Sequence, residues 1–123
     1  MGVASPDLMD KAFVGRFNAR DAAGLLNLYG PDALYTFDGV AKAVGLEQIA
    51  AAMAGILASP MKLRGSYVSV YVAGDTALCR LKWDLLDPTG TVNSSGVSAE
   101  VLLKGADGKW RFQIDDASGG RRT

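Results

Sequence analysis

Two acids near the end of the chain, Glu100 and Asp115, sit in stretches that are otherwise apolar at every second position. A carboxyl drawn out of water titrates upward and can give or take a proton near neutrality, the chemistry of a general acid or base. Three basic residues, Arg80, Lys82 and Arg111, fall at positions that would let them neighbour these acids across adjacent strands. A third acid, Asp38, precedes Gly39 just after a short apolar stretch, where it reads either as a turn former or as a displaced base. The chain has no His and a single Cys, Cys79. That removes the commonest general base and the usual metal ligands, so no metal is expected. No glycine-rich phosphate loop occurs, so no nucleotide cofactor is expected either. Any chemistry left is proton transfer by carboxyl groups.

The elements that must position these acids are legible from periodicity. In VSAEVLLKGADGKWRFQIDD, residues 97–116, Val97, Ala99, Val101 and Leu103 alternate with Ser98, Glu100, Leu102 and Lys104. Trp110, Phe112 and Ile114 alternate with Arg111, Gln113 and Asp115 beyond a Gly-Ala-Asp-Gly turn. Period two with a glycine-bearing reversal predicts an antiparallel hairpin. Residue 104 opposite 109 would set Val101 against Phe112, Glu100 against Gln113 and Ser98 against Asp115. Upstream, residues 62–73 and 76–86 alternate as two more strands joined at Gly74-Asp75. Earlier still, Ser5-Pro6-Asp7 opens a helix over about 6–19, with Phe13 and Phe17 on one side. Asp21 caps a short helix through Leu28, stopped by Gly30-Pro31, and Ala33 to Phe37 is a short strand. A third helix, LEQIAAAMAGILA, carries Ile49, Met53, Ile56 and Leu57 on one stripe. Helices followed by antiparallel strands predict an α+β layer fold.

Composition narrows the partners. At 123 residues and 49% hydrophobic, the chain is one domain spanning 1–123, with an ordered core over about 6–117 and an unfolded tail over 118–123. Thirteen basic and thirteen acidic residues leave no net charge and no basic run, so neither nucleic acid nor an anionic membrane is expected. Without a signal segment, a long apolar span or paired cysteines, the expected location is cytoplasmic.

The order of ARDAAGLLNLYGPDALYTF, VGLEQIAAAM, GDTALCRLKW and SAEVLLKGADGKWRFQIDD resembles the SnoaL-like branch of the nuclear-transport-factor-2-like superfamily, over roughly residues 8–117. The resemblance implies a curved, mixed sheet wrapped as a cone around the N-terminal helices, a cystatin-like fold. It also implies an internal pocket and a homodimer through the outer face of the sheet. The superfamily includes ketosteroid isomerase, whose helix-one tyrosine would fall on Phe13, its general base on Thr36 and its second oxyanion acid on Glu100. With one of those positions acidic, that mechanism is not implied. Acids at the positions of Glu100 and Asp115 are typical of the uncharacterised and polyketide-associated branch.

On this reading the pocket takes a small hydrophobic organic ligand. Glu100, Asp38 and Asp115 are the catalytic candidates, and Phe13, Phe17, Tyr35, Met53, Leu57, Arg80 and Gln113 the ligand-binding ones. Tyr71 is a further possible donor to the ligand. The competing reading makes the charged residues a solvated sheet face with cross-strand ion pairs worth ~0.2–1 kcal/mol each. An apolar face carrying Trp83, Trp110 and Phe112 is then left for the homodimer. Two function classes remain: an isomerase, cyclase or dehydratase acting on a carbonyl compound, or a non-catalytic binding or dimerisation module.

Overall fold

The structure, a computed structural model, describes residues 2–120. A 3₁₀ turn at Pro6–Leu8 runs into helix α1, Met9–Asn18, followed by α2, Ala22–Leu26, and α3, Leu46–Leu57. The strands are β1 Tyr29–Thr36, β2 Ala43–Val44, β3 Lys62–Ala73, β4 Thr76–Leu86, β5 Val92–Val97, β6 Ala99–Lys104 and β7 Trp110–Asp116. They form one sheet in the order β2-β1-β7-β6-β4-β3, with β5 also paired to β4. All neighbours are antiparallel except β1 and β7. The expected α+β class, the mixed sheet and the strands at 62–73 and 76–86 are all present.

Local chemistry explains the helix ends. Asp21 caps α2 by accepting from the Gly24 amide at 2.9 Å. Asn18, at the end of α1, accepts from the Leu63 amide and donates to the Leu63 carbonyl, both at 2.8 Å. One amide side chain therefore pins the helix to the start of β3. Gly30-Pro31 does not end a helix as expected. Both residues lie inside β1, in the stretch between Tyr29 and Leu34 where its pairing with β7 shifts register, and an irregular stretch of this kind is one of the places a strand accepts proline.

The decisive corrections concern register. In β7 the pairs Phe112–Leu102 and Arg111–Leu103 give way to Ile114–Val101 and Asp115–Glu100, so Gln113 is an extra residue in the ladder. The expected hairpin register fails from the turn onward. Gly108, at φ 79°, takes the left-handed position after a tight turn closed by Gly108 N–H to the Gly105 carbonyl, so the loop is one residue longer than expected. A similar slip at Val68 in β3 puts Tyr67 on the inner face and leaves Tyr71 61% exposed.

The strands β5 and β6 form one line along β4, bent at Ser98, whose Oγ accepts from the Leu81 amide at 2.8 Å. Along this line Glu100 pairs with Cys79, not with Arg80 or Lys82. Glu100 therefore faces inward with Cys79, Leu81 and Trp83, while Arg80 points to the outer face.

Trp83, Trp110 and Phe112 are at most 6% exposed. The expectation that they form a dimer face is overturned, because the sheet's inner face, covered by the helices, is the one that carries them. The tail is also corrected: residues 118–120 fold back, with the Gly120 amide donating to the Val97 carbonyl at 3.0 Å. Residues 121–123 lie outside the described residues.

A Cβ added at Gly96 would stand 2.7 Å from Trp83 Cζ2, and the indole cannot swing away freely because its N–H donates to the Ala117 carbonyl at 2.7 Å. Gly96→Ala is expected to lower stability by about 1–3 kcal/mol through overpacking. Gly55→Ala, in α3 with open space around the new methyl, is expected to raise it by roughly 0.5–1 kcal/mol. Thermal unfolding of both variants checks the contrast.

Candidate functional site

The inward row of β6 and β7 ends in two acids at a cross-strand pair, Glu100 opposite Asp115. They are 3% and 5% exposed. Tyr67 of β3 donates to Glu100 Oε1 at 2.5 Å and Ser98 donates to Oε2 at 2.7 Å. Tyr29, at the start of β1, donates to Asp115 Oδ2 at 2.5 Å. No described residue donates to Asp115 Oδ1. Each acid is thus held by a phenol from a different strand, and two strands' worth of backbone geometry must agree before the pair exists.

Among the described residues no basic group joins them. The ion pairs among the described residues, Arg64 with Asp84 and Arg111 with Asp107, lie away from the acids. Arg80 and Lys82, expected beside Glu100, are absent from the site because the register pairs Glu100 with Cys79. Burial, aided by the charge of Asp115, pushes Glu100 up to about 8. Burial likewise raises Asp115 to about 6, against the opposing pull of the Tyr29 hydrogen bond. Near neutral pH the pair as a whole therefore retains a proton. Burial lifts the Tyr67 and Tyr29 hydroxyls far above their usual range, so both remain donors. It also pushes the Cys79 thiol up to about 12, which removes it as a nucleophile.

The acids form the polar end of an otherwise apolar cavity of about 60 Å³. Four expected residues line it: Phe13 and Phe17 of α1, Tyr35 of β1 and Met53 of α3. Phe13 meets Phe112 edge-on with centroids 5.9 Å apart. Three others do not reach it. Arg80 is on the outer face, Gln113 is the bulge residue, and Leu57 packs on the core while Ile56 takes the wall position. A second cavity, of about 280 Å³, adjoins the first and shares Tyr35, Phe37 and Ile56 as a common wall.

Asp38 borders that outer cavity but is a turn residue: exposed, with Oδ1 accepting from the Val40 and Ala41 amides at 2.8 and 3.0 Å. Those amides hold it below the usual carboxylate range, the wrong direction for a base working near neutrality. Thr36, where the isomerase base would fall, spends its hydroxyl on the Ala41 carbonyl.

Sequence reasoning missed Tyr67, Tyr29, Ser98 and Asp10, which also lines the cavity and accepts from the Tyr67 amide at 3.0 Å. For Tyr67 the period-two pattern was the available signal, but it continued through the Val68 bulge and grouped Tyr67 with the exposed Tyr71. Tyr29 reads as inward-facing at the end of the short helix, and it is buried, but its place in β1 beside Asp115 depends on the pairing of β1 with β7.

A sequence profile of the SnoaL-like domain matches residues 11–113. The chain belongs to the SnoaL-like domain family. No curated protein matches it. Among solved structures, this SnoaL-like chain is similar to a candidate calcium/calmodulin-dependent protein kinase type II association domain from Thiobacillus denitrificans. The TM-score is 0.83 at 17% identity, covering 96% of this chain and 97% of that one. It is also similar to a ketosteroid isomerase-like protein from Erwinia carotovora, with TM-score 0.71, 21% identity and 92% of each chain covered. A candidate dehydratase of the NTF2-like family from Streptomyces avermitilis gives TM-score 0.75 at 21% identity, covering 94% and 93%. These likenesses establish the cystatin-like, NTF2-like fold. Among the described residues no helix is long and apolar enough to cross a membrane.

The buried pair makes a signed prediction about stability. Both folded-state values lie above the ordinary carboxyl ones, so between about pH 4 and pH 8 the native state binds more protons than the unfolded chain. Stability therefore falls as pH rises through that window. The protein is expected to be on the order of 1–3 kcal/mol less stable at pH 9 than at pH 5. Glu100→Gln is expected to flatten the slope and to unfold at a higher temperature than wild type at pH 8. Denaturant titrations across pH measure both.

Proposed function

We propose that the SnoaL-like cavity binds a small, mostly apolar organic molecule and that Glu100 and Asp115 move a proton on a carbonyl-bearing substrate, as an isomerase, cyclase or dehydratase would. The single observation that carries this reading is a pair of buried carboxyls, facing each other across β6 and β7 in a cavity that no Lys or Arg among the described residues lines. Two such groups divide the roles of acid and base. Asp115, ionised and with Oδ1 free of donors, removes the proton on the carbon next to the carbonyl. Glu100, protonated, donates to the carbonyl oxygen as negative charge develops there. The proton held by Asp115 then goes to a different atom of the substrate, and as the carbonyl re-forms its oxygen returns the other proton to Glu100, so nothing is consumed. Tyr67 takes the part of the phenol that helix one lacks at Phe13, holding the Glu100 carboxyl in place.

The inner cavity of about 60 Å³ is far smaller than the ~300–1,000 Å³ of pockets for drug-sized ligands. A compact ligand fits it as it stands, and a longer one extends past Phe37 into the outer cavity. The binding-module alternative is favoured by one observation: three of the four carboxyl oxygens already have donors.

A panel of enones, β-keto esters and lactones separates the readings. Turnover is expected to survive chelation and to fall by ~10²–10⁴-fold in Asp115→Asn. Glu100→Gln should leave the base in place and lose the high-pH limb of the rate profile. Binding without turnover across the panel sinks the enzyme reading and leaves the module.

We also propose a homodimer through the outer sheet face. Tyr71, Leu78, Val101 and Ile114 are successive cross-strand partners over four strands, and Tyr71 and Ile114 are 61% and 41% exposed. A continuous apolar row of this kind is what a second copy would cover. Val101→Glu should yield a monomer in sedimentation at micromolar concentration. A wild-type monomer under the same conditions rules the dimer out.

A further inference from the structure

Asp10 stands in the first turn of α1, on the same side of the helix as Phe13 and Phe17 by its spacing from them. All three line the cavity. Both oxygens of the acid are occupied: Oδ1 accepts from the Lys11 amide at 2.8 Å and Oδ2 from the Tyr67 amide at 3.0 Å.

The bond to Tyr67 falls where the sheet is least able to fix its own geometry. β3 is an edge strand paired with β4, so alternate amides along it face away from the ladder. Side chains of α1 take up two of them, Asn18 the amide of Leu63 and Asp10 that of Tyr67. Tyr67 is also the last paired residue before the bulge at Val68, the point at which the ladder stops dictating which face a side chain takes. From that point its phenol donates to Glu100 Oε1 at 2.5 Å.

The titratable groups facing Glu100 are Asp10 of α1, Tyr29 of β1, Tyr67 of β3, Cys79 of β4 and Asp115 of β7. Burial and then the charge of Asp115 push Glu100 up, the hydrogen bonds from Tyr67 and Ser98 pull it down, and the charge of Asp10 adds a smaller upward push. Asp10 therefore acts on Glu100 in two opposed ways, through the phenol it places and through its own charge.

We propose that Asp10 is a positioning residue of the acid pair, fixing the backbone beside the β3 bulge so that the Tyr67 phenol reaches Glu100. The proposal rests on the reading that Glu100 is the acid of the site, and its test needs no substrate.

The test is the titration of Glu100 in the full-length protein, followed by NMR at the carboxyl carbon of isotope-labelled glutamate. The chain has two glutamates, Glu100 and the exposed Glu47, which serves as the internal control. Asp10→Asn keeps an acceptor for the Tyr67 amide and removes the charge, so the Glu100 midpoint is expected to fall by on the order of half a pH unit. Asp10→Ala removes the acceptor as well and frees the phenol. The midpoint is then expected to rise, because the hydrogen bond from Tyr67 outweighs the charge of Asp10. In a Tyr67→Phe background the hydroxyl is already gone, and Asp10→Ala should lower the midpoint as Asp10→Asn does. Should Asp10→Ala not fold, Asp10→Ser replaces it, with a shorter side chain that suits the start of a helix.

Midpoints that move the same way in Asp10→Asn and Asp10→Ala reduce Asp10 to a charge, and midpoints that do not move reduce it to a tie between helix and strand. Either result overturns the proposal, as does a rise in Asp10→Ala that persists without the Tyr67 hydroxyl. Opposite shifts in a protein that turns over none of the panel uphold the positioning and sink the enzyme reading alone.

Discussion

Two carboxyl groups held face to face inside a sheet, with no Lys or Arg among the described residues beside them, constrain the rest of this structure. A buried charge without a partner is among the costliest things a fold can contain. The chain meets that cost by keeping a proton on the pair and by aiming hydroxyls at it: Tyr67 and Ser98 at Glu100, Tyr29 at Asp115. Those donors come from β1, β3 and the bend before β6, so the pair ties together strands that are distant in sequence. The same arrangement that satisfies the acids leaves one oxygen facing the cavity. The polar end of an apolar chamber is thereby defined by what the fold could not pair internally.

The geometry depends on irregularities in the ladders. An unbroken β7 would place Phe112 and Asp115 on opposite faces. The extra residue at Gln113 brings both inward, one as wall and the other as acid. The slip at Val68 does the same for Tyr67. The bend at Ser98 lets a side-chain oxygen replace a backbone partner for Leu81 and then donate to Glu100, coupling the ladder to the site through one hydroxyl. Bulges commonly re-aim side chains next to functional sites, and here three irregularities aim at one point.

Closure of the cavity follows from the far end of the chain. Phe37 rests against Trp83 with centroids 5.6 Å apart, and the Trp83 indole is tied to Ala117 in the segment that folds back over the sheet. The wall shared by the inner and outer cavities is thus held by contacts from β1, β4 and the C-terminal segment. The size of the cavity can change by altering this small set while leaving the acid pair untouched.

Much of the fold was written in local pattern. Period two over 62–73 and 76–86 gave β3 and β4 to the residue, because in an antiparallel strand the burial of alternate side chains repeats directly in the sequence. The stripe through Ile49 and Met53 gave α3, and the stripe of Phe13 and Phe17 gave one side of α1, whereas the inward reading of Glu100 and Asp115 came with the resemblance to a cone-shaped fold. Which face was the inner one was not legible. Alternation separates two faces without saying which is covered, so Trp83, Trp110 and Phe112 were read as an outer patch and Arg80 as a partner of Glu100. One extra residue in a strand inverts every later assignment. Whether such a residue exists at Gln113 or Val68 depends on pairing with β6 and β4, a contact between segments that no single segment encodes. The residue types and their order determined a SnoaL-like α+β sheet with acids on its last hairpin. The tertiary structure alone decided that those acids meet, that Tyr67 and Tyr29 serve them, and that Arg80 and Lys82 do not, because register is a property of two strands together.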